Sequence, residues 1–424
     1  GVTKMCFSEN GGNCSLSDLP YSTSAQYALL SQTTGTHTVY VMFEDLASNW
    51  SATYSDTVYL DNTLPSGTVS INAGALHALS TSVTVSLTCT DAGAACSQMQ
   101  LSNDMNSWST PVTFSATTTW TLSAGDGTKT VYAKFKDNSG NWSDPVAHPA
   151  TDTFSGTIIL DTQPPSAGAV VINSAASFAT SPTVTLTLTC TDATTGCAAG
   201  QGRMQFSNSE NGPWSSLVSF AVTTTWNLND TAYGGGTSDG PKAVYAKYRD
   251  LAGNLTTAVI SDGIQLDGAA PSGTVVINNA SDNYTTSGTI TLNLTCSDPA
   301  PGSSGCNQMK LSGTGGGSWS DPVSFVTTTT FSLLTSNGTN TVSVQYGDAA
   351  GNWATPISDT IIHDNTRATG SLTIAGGAQY TLSTSVTLTV FAGDNFGVAN
   401  MKFSNDGTEW SAPEPYQTTT PKSW

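Results

Sequence analysis

Asp137-Asn138-Ser139-Gly140-Asn141-Trp142 decides the reading of this chain, because it recurs. Asp45-Leu46-Ala47-Ser48-Asn49-Trp50, Asp250-Leu251-Ala252-Gly253-Asn254 and Asp348-Ala349-Ala350-Gly351-Asn352-Trp353 are variants of one phrase. A second phrase follows each. It reads Leu60-Asp61-Asn62-Thr63-Leu64-Pro65, Leu160-Asp161-Thr162-Gln163-Pro164-Pro165, Leu266-Asp267-Gly268-Ala269-Ala270-Pro271 and, without proline, His363-Asp364-Asn365-Thr366. The aspartates of this second phrase lie 100, 106 and 97 residues apart. Self-similarity at a fixed period marks a repeat architecture. A period of about 100 residues fits one small β-sandwich and is far too long for ankyrin- or leucine-rich-type repeats.

Within a period the apolar residues alternate. Val83, Val85, Leu87 and Cys89 are interleaved with Thr84, Ser86 and Thr88. Val184/Leu186/Leu188/Cys190 and Ile290/Leu292/Leu294/Cys296 match them. Before the Asp-x-x-Gly-Asn phrase the same period-two pattern gives Val39/Val41/Phe43, Val131/Ala133/Phe135, Val244/Ala246/Tyr248 and Val342/Val344/Tyr346. One apolar and one polar face is the signature of antiparallel strands with one wet side. Seven strands are expected in the second repeat, at 67–72, 83–90, 98–102, 112–115, 118–122, 128–136 and 155–160. Gly125-Asp126-Gly127 and Asn138-Ser139-Gly140 read as turns between them. The fold class is therefore all-β: tandem immunoglobulin-like (fibronectin III-like) β-sandwich domains. Short, proline-stiffened linkers set them in an extended rod.

The boundaries fall at 65–164, 165–270 and 271–367 for three whole repeats, flanked by partial repeats at 1–64 and 368–424. Gly1-Val2-Thr3-Lys4-Met5 aligns with Gly397-Val398-Ala399-Asn400-Met401. The first partial repeat thus lacks its first strands and the last lacks its final ones. Either the polypeptide continues or another copy supplies the strands. Continuation is the preferred reading, because the two ends overlap.

Only 10% of residues are charged, and the formal net charge is −18. Twelve basic side chains against thirty acidic ones exclude nucleic acid as a partner and disfavour anionic membranes. No run of about 20 apolar residues exists to cross a bilayer as a helix. The balance suits cation binding or solubility outside a cell.

Eight cysteines form four close pairs: Cys6/Cys14, Cys89/Cys96, Cys190/Cys197 and Cys296/Cys306. The last three bracket the turn after the second strand. Ala392 and Val398 replace both members together in the final repeat, as a covalent pair predicts. Cys14 stands where other repeats carry Trp108, Trp214, Trp319 and Trp410. Free thiols and zinc are the weaker readings: each pair is isolated, and His37, His77, His148 and His363 are scattered. Disulfides place the chain in an oxidising compartment.

No nucleophile–base pair, metalloprotease helix motif or phosphate loop is present, so no catalytic residue is assigned and the chain is read as a non-enzyme. The site candidates are aspartates. Asp45, Asp137, Asp250 and Asp348 open the tight turn. Asp61, Asp161 and Asp267 sit in the linkers, and Asp91, Asp192, Asp298 and Asp394 follow the second strand. Loops at the end of one sandwich meet the next domain, where carboxylates and carbonyls supply the six to eight oxygens of a Ca²⁺ site. The competing reading is that these residues only cap turns. No cofactor is required under either. The repeated tryptophans read as packing residues or as a sugar-stacking platform. Asn49, Asn141, Asn254 and Asn293 head weak glycosylation triplets. The insert at 232–240 in the third repeat reads as a longer hairpin.

Two of these phrases carry a family likeness. Asp250-Leu251-Ala252-Gly253-Asn254 and Leu160-Asp161-Thr162-Gln163-Pro164-Pro165 resemble bacterial immunoglobulin-like tandem repeats of large secreted surface and adhesin-type proteins. The resemblance spans essentially the whole chain. It implies a bacterial, extracellular or cell-surface location and calcium at some junctions. Gly268-Ala269-Ala270-Pro271 and Arg367-Ala368-Thr369 depart from it by losing the double proline. Three roles follow as expectations: a structural segment of a surface protein, stalk or filament; an adhesin or carbohydrate-binding module presenting loops or tryptophans; a spacer for an enzyme outside this segment. The corresponding partners are further repeats of the same polypeptide, other copies of it, or glycans.

Overall fold

The alternation of Val83, Val85 and Leu87 with threonine and serine is realised as a strand, Ser82–Thr90, with the three apolar side chains buried. The structure is a computed structural model. It describes every residue except 12–15, 144–153, 198–199, 201, 300, 315–317, 335, 418–421 and 424. In the second repeat Ser82–Thr90 lies between Thr117–Thr121 and Ser66–Ile71 in a three-stranded antiparallel sheet. A five-stranded sheet faces it, in the order His77–Ala78, Ser155–Leu160, Gly127–Asp137, Cys96–Ser102 and Val112–Thr113. The third and fourth repeats reproduce both sheets strand for strand.

One strand was not expected. After Ile71 the chain turns through Asn72, Ala73 and Gly74, with φ of 46°, 55° and 86°. This turn carries it from the three-stranded sheet to the edge of the other. There His77 and Ala78 pair in parallel with Ile159 and Leu160. Asparagine suits the first left-handed position, because its side chain replaces a ladder acceptor. Asn72 Oδ1 accepts the Thr84 N–H at 2.9 Å. Asn173 and Asn278 receive Thr185 N–H and Thr291 N–H in the same way.

Each whole repeat has its own core between its two sheets. At the centre of the second lies Phe135, fully buried, and its counterparts are Tyr248 and Tyr346. The tyrosine hydroxyls donate to Ala169 O and Thr274 O, both at 2.6 Å. Burial raises both phenols, Tyr346 to about 12. Room for these rings is made across the sandwich by glycine. A Cβ on Gly67, Gly168 or Gly273 would sit 2.5 to 2.7 Å from the ring of Phe135, Tyr248 or Tyr346.

The chain exposes 23145 Å². A single compact body of its 43.7 kDa would expose about 15,000 Å², and four separate beads of a quarter the mass about 22,000 Å². Its surface is that of separate sandwiches. At the N-terminal end, Leu16–Pro20, Val2–Ser8, Gly35–Asp45 and Tyr54–Leu60 form one four-stranded sheet. At the other end Thr369–Ile374, Thr387–Gly393 and Lys422–Ser423 form a three-stranded one. Leu372 and Ile374 of that sheet are 55% and 52% exposed, whereas Val69 and Ile71 in the same places of the second repeat are buried.

Replacing Gly168 by alanine forces Tyr248 off its site. The third repeat should lose roughly 1–3 kcal/mol. In calorimetry of the full chain its transition should move to lower temperature, and an unmoved transition would remove this packing argument.

Candidate metal centres at the repeat junctions

The recurring turn is built by its aspartate. Asp137 Oδ1 accepts the N–H groups of Gly140 and Asn141 at 2.6 and 2.9 Å. Gly140 has φ of 105°, which explains the glycine. Asn141 Nδ2 then donates twice: to Asp137 Oδ2 at 2.9 Å and to the linker carbonyl Asp61 O at 3.1 Å. Asn254 reaches Asp161 O at 3.1 Å and Asn352 reaches Asp267 O at 2.9 Å. The preceding repeat holds the next linker residue. Asp126 Oδ1 accepts Thr162 N–H at 3.1 Å, Asp239 Oδ2 accepts Gly268 N–H at 2.9 Å, and Asn337 Oδ1 accepts Asn365 N–H at 2.9 Å. Each of these linkers is thus fixed by its peptide groups.

This clasp brings the aspartates together in threes. Asp61, Asp91 and Asp137 form one group, Asp161, Asp192 and Asp250 a second, and Asp267, Asp298 and Asp348 a third. In each group one carboxylate oxygen per residue lies within 4.8 Å of the others. Asp161 and Asp267 are 0% exposed, and Asp137, Asp250 and Asp348 are also buried. Among the described residues no ion pair reaches these groups; the salt bridges are Lys4–Glu44 and His37–Glu9. Buried like charges without a basic partner are unfavourable unless protonated or bridged by a cation.

All donors are hard oxygens, the ligand type taken by Ca²⁺, Mg²⁺ and Mn²⁺. A thiolate site is ruled out by the chemistry of the cysteines, none of which is free among the described residues. At the third junction Asp298 Oδ2 takes the Ser303 hydroxyl and the Gly305 N–H, while Oδ1 is buried with no hydrogen-bond partner.

Two hydroxyls and a backbone N–H that the sequence did not single out surround the groups. Thr63 Oγ1 donates to Asp61 at 2.6 Å and also lies 3.3 Å from Asp91 Oδ1. Thr195 Oγ1 donates to Asp161 at 2.5 Å, and Ser304 N–H donates to Asp267 at 2.9 Å. The Thr63 hydroxyl, ahead of its backbone N–H and Ser139, holds the Asp61 carboxyl below the usual carboxylate range against desolvation. A depressed carboxyl stabilises the fold above its unfolded value near pH 4, and that contribution fades as pH falls through its folded value.

Asp45 belongs to none of the groups. It accepts Ala47 N–H, Asn49 N–H and Asn49 Nδ2–H, and caps its own turn. Asp394 accepts Phe396 N–H and likewise joins no group among the described residues.

The disulfides Cys89–Cys96, Cys190–Cys197 and Cys296–Cys306 are formed. Cys6 is disulfide-bonded; Cys14, like His148, lies outside the described residues. The tryptophans carry lysines on their faces. Lys134 Nζ lies 4.7 Å from the Trp108 ring centre and 5.3 Å from that of Trp142. Lys247 covers Trp214 at 4.6 Å, and Lys310 covers Trp353 at 3.9 Å. Trp319 and Trp410 remain 38% and 59% exposed. In the third repeat the insert folds back, stacking Tyr233 on Trp226 at 5.3 Å.

No family model and no curated protein sequence matches this chain. Solved structures do. A tetra-tandem repeat in the extending region of a large adhesion protein is 20% identical, with a TM-score of 0.30, over 86% of this chain and 92% of that one. A structure described for host cell surface retention of a 1.5-MDa bacterial ice-binding adhesin is 15% identical, TM-score 0.37, over 72% and 98%. Fibronectin(III)-like modules of Clostridium thermocellum CbhA are 14% identical, TM-score 0.30, over 46% and 93%.

The clasp has a direct test. Asn254→Ala should raise amide exchange at Thr162 and Gln163 about tenfold, the equivalent of about 1.4 kcal/mol and typical of one lost hydrogen bond. Unchanged exchange would show that the asparagine does not hold the linker.

Proposed function

We propose that this chain is a non-catalytic structural segment of an extracellular surface protein, in which calcium locks each whole repeat to the linker that precedes it. The observation that carries the reading is the convergence of three carboxylates at every junction that enters a whole repeat. Each group joins a linker aspartate to two aspartates of the following sandwich, so an ion held there would tie the junction rather than a single loop. Short cystine loops support an oxidising location. The acidic balance of the chain raises the local concentration of cations. Near-interchangeable sandwiches with separate cores suit a spacer, whose output is length and stiffness rather than chemistry.

Calorimetry of the full chain in calcium and in chelator tests this. At calcium one hundred times its Kd, each site contributes about 2.7 kcal/mol, which raises the unfolding midpoint of a 100-residue domain by roughly 10 °C. Titration should give three sites per chain, one for each group. Asp250→Asn should abolish the site of the third repeat alone. An identical melting profile with and without chelator would overturn the calcium reading.

A further inference from the structure

The middle carboxylate of each group lies inside a covalent ring. Cys89–Cys96 encloses Asp91, Cys190–Cys197 encloses Asp192, and Cys296–Cys306 encloses Asp298, with sequence separations of 7, 7 and 10. The donors that orient these carboxylates lie in the same rings. Gly93 and Ala94 N–H reach Asp91 Oδ2 at 2.8 and 2.7 Å. Thr194, Thr195 and Gly196 N–H reach Asp192 Oδ1 at 2.9, 3.0 and 3.1 Å. Ser303 Oγ and Gly305 N–H reach Asp298 Oδ2 at 3.0 and 2.7 Å. The other oxygen of Asp91 takes only the Thr63 hydroxyl, at 3.3 Å, and Asp298 Oδ1 is inaccessible to water and has no hydrogen-bond partner, a placement that favours a bound cation.

We propose that these three cystines are positioning residues for the cation sites, so that metal affinity and disulfide stability are coupled. The inference rests on the calcium reading above. An intact ring restricts the loop before the ion arrives, so less conformational freedom is lost on binding. Opening a ring takes two electrons and two protons from a dithiol reductant, leaving two cysteine thiols and the reductant's own disulfide. The freed loop no longer presents its aspartate. Linkage is reciprocal: if the cystine strengthens calcium binding, calcium protects the cystine by the same factor.

Two measurements on the full chain test this. The first titrates calcium into the oxidised protein and into protein whose rings have been reduced and capped with iodoacetamide. Capping should weaken binding about tenfold, within the ordinary range of coupling. The second follows reduction of the unmodified protein by a dithiol, with peptide mass spectrometry reading each cystine. Saturating calcium should slow loss of the three ring cystines, while the Cys6 disulfide, which encloses no aspartate of a group, is unaffected and serves as the control. Equal affinity before and after capping, with equal reduction rates, would overturn the coupling and leave the calcium reading standing. Absence of calcium binding by the oxidised protein would overturn both.

Discussion

Three carboxylates crowded at one junction are the constraint on which the arrangement depends. Their mutual repulsion is opposed by the hydrogen bonds they receive. At the second junction Asp192 receives three backbone N–H groups, Asp250 two and an amide, and Asp161 a hydroxyl and one backbone N–H. The asparagine that follows converts this local turn into a link between domains, because its second amide hydrogen goes to the linker carbonyl. The linker cannot move away without leaving that donor and the buried carboxylates unsatisfied. Sheet, turn and linker are therefore one mechanical unit, and the site is a product of how repeats are joined rather than of any one repeat.

Much of this was legible in the residues. Period-two alternation marked the inner faces, and all seven strands expected in the second repeat are present at nearly the expected limits. The paired replacement at Ala392 and Val398 marks the cysteines of the other repeats as covalent partners. Recurrence also marked Asp137, Asp161, Asp192 and their equivalents, but not which of them meet. Asp45 carries the same turn motif as Asp137, yet it joins no group of three among the described residues and caps its own turn. The strand His77–Ala78 was missed because two residues carry no period. Its cause is the run of left-handed residues before it, which asparagine and glycine permit but do not announce. Thr63 and Thr195 were invisible in a chain so rich in threonine. Asp126 and Asp239 were read only as hairpin residues, since spacing alone does not say which backbone N–H a side chain will receive.

The lysines that cover the tryptophans illustrate a different relation between sequence and fold. In the second and third repeats the lysine is on the later strand, with Lys134 opposite Gln100 and Lys247 opposite Gln205. In the fourth the two residue types have changed places, with Lys310 opposite Gln345. Both arrangements set one ammonium beside indole and one amide beside it, so the pair rather than the position is preserved.

That reversal distinguishes the third sandwich from the fourth during folding. Tandem domains of similar sequence are prone to exchange strands with one another while partly folded. If the third and fourth repeats exchanged these strands, one hybrid would set Lys247 against Lys310 and the other Gln205 against Gln345. The first hybrid carries like charges face to face, and the second leaves indole without its cation. The third and fourth repeats therefore each match their own strands better than the other's.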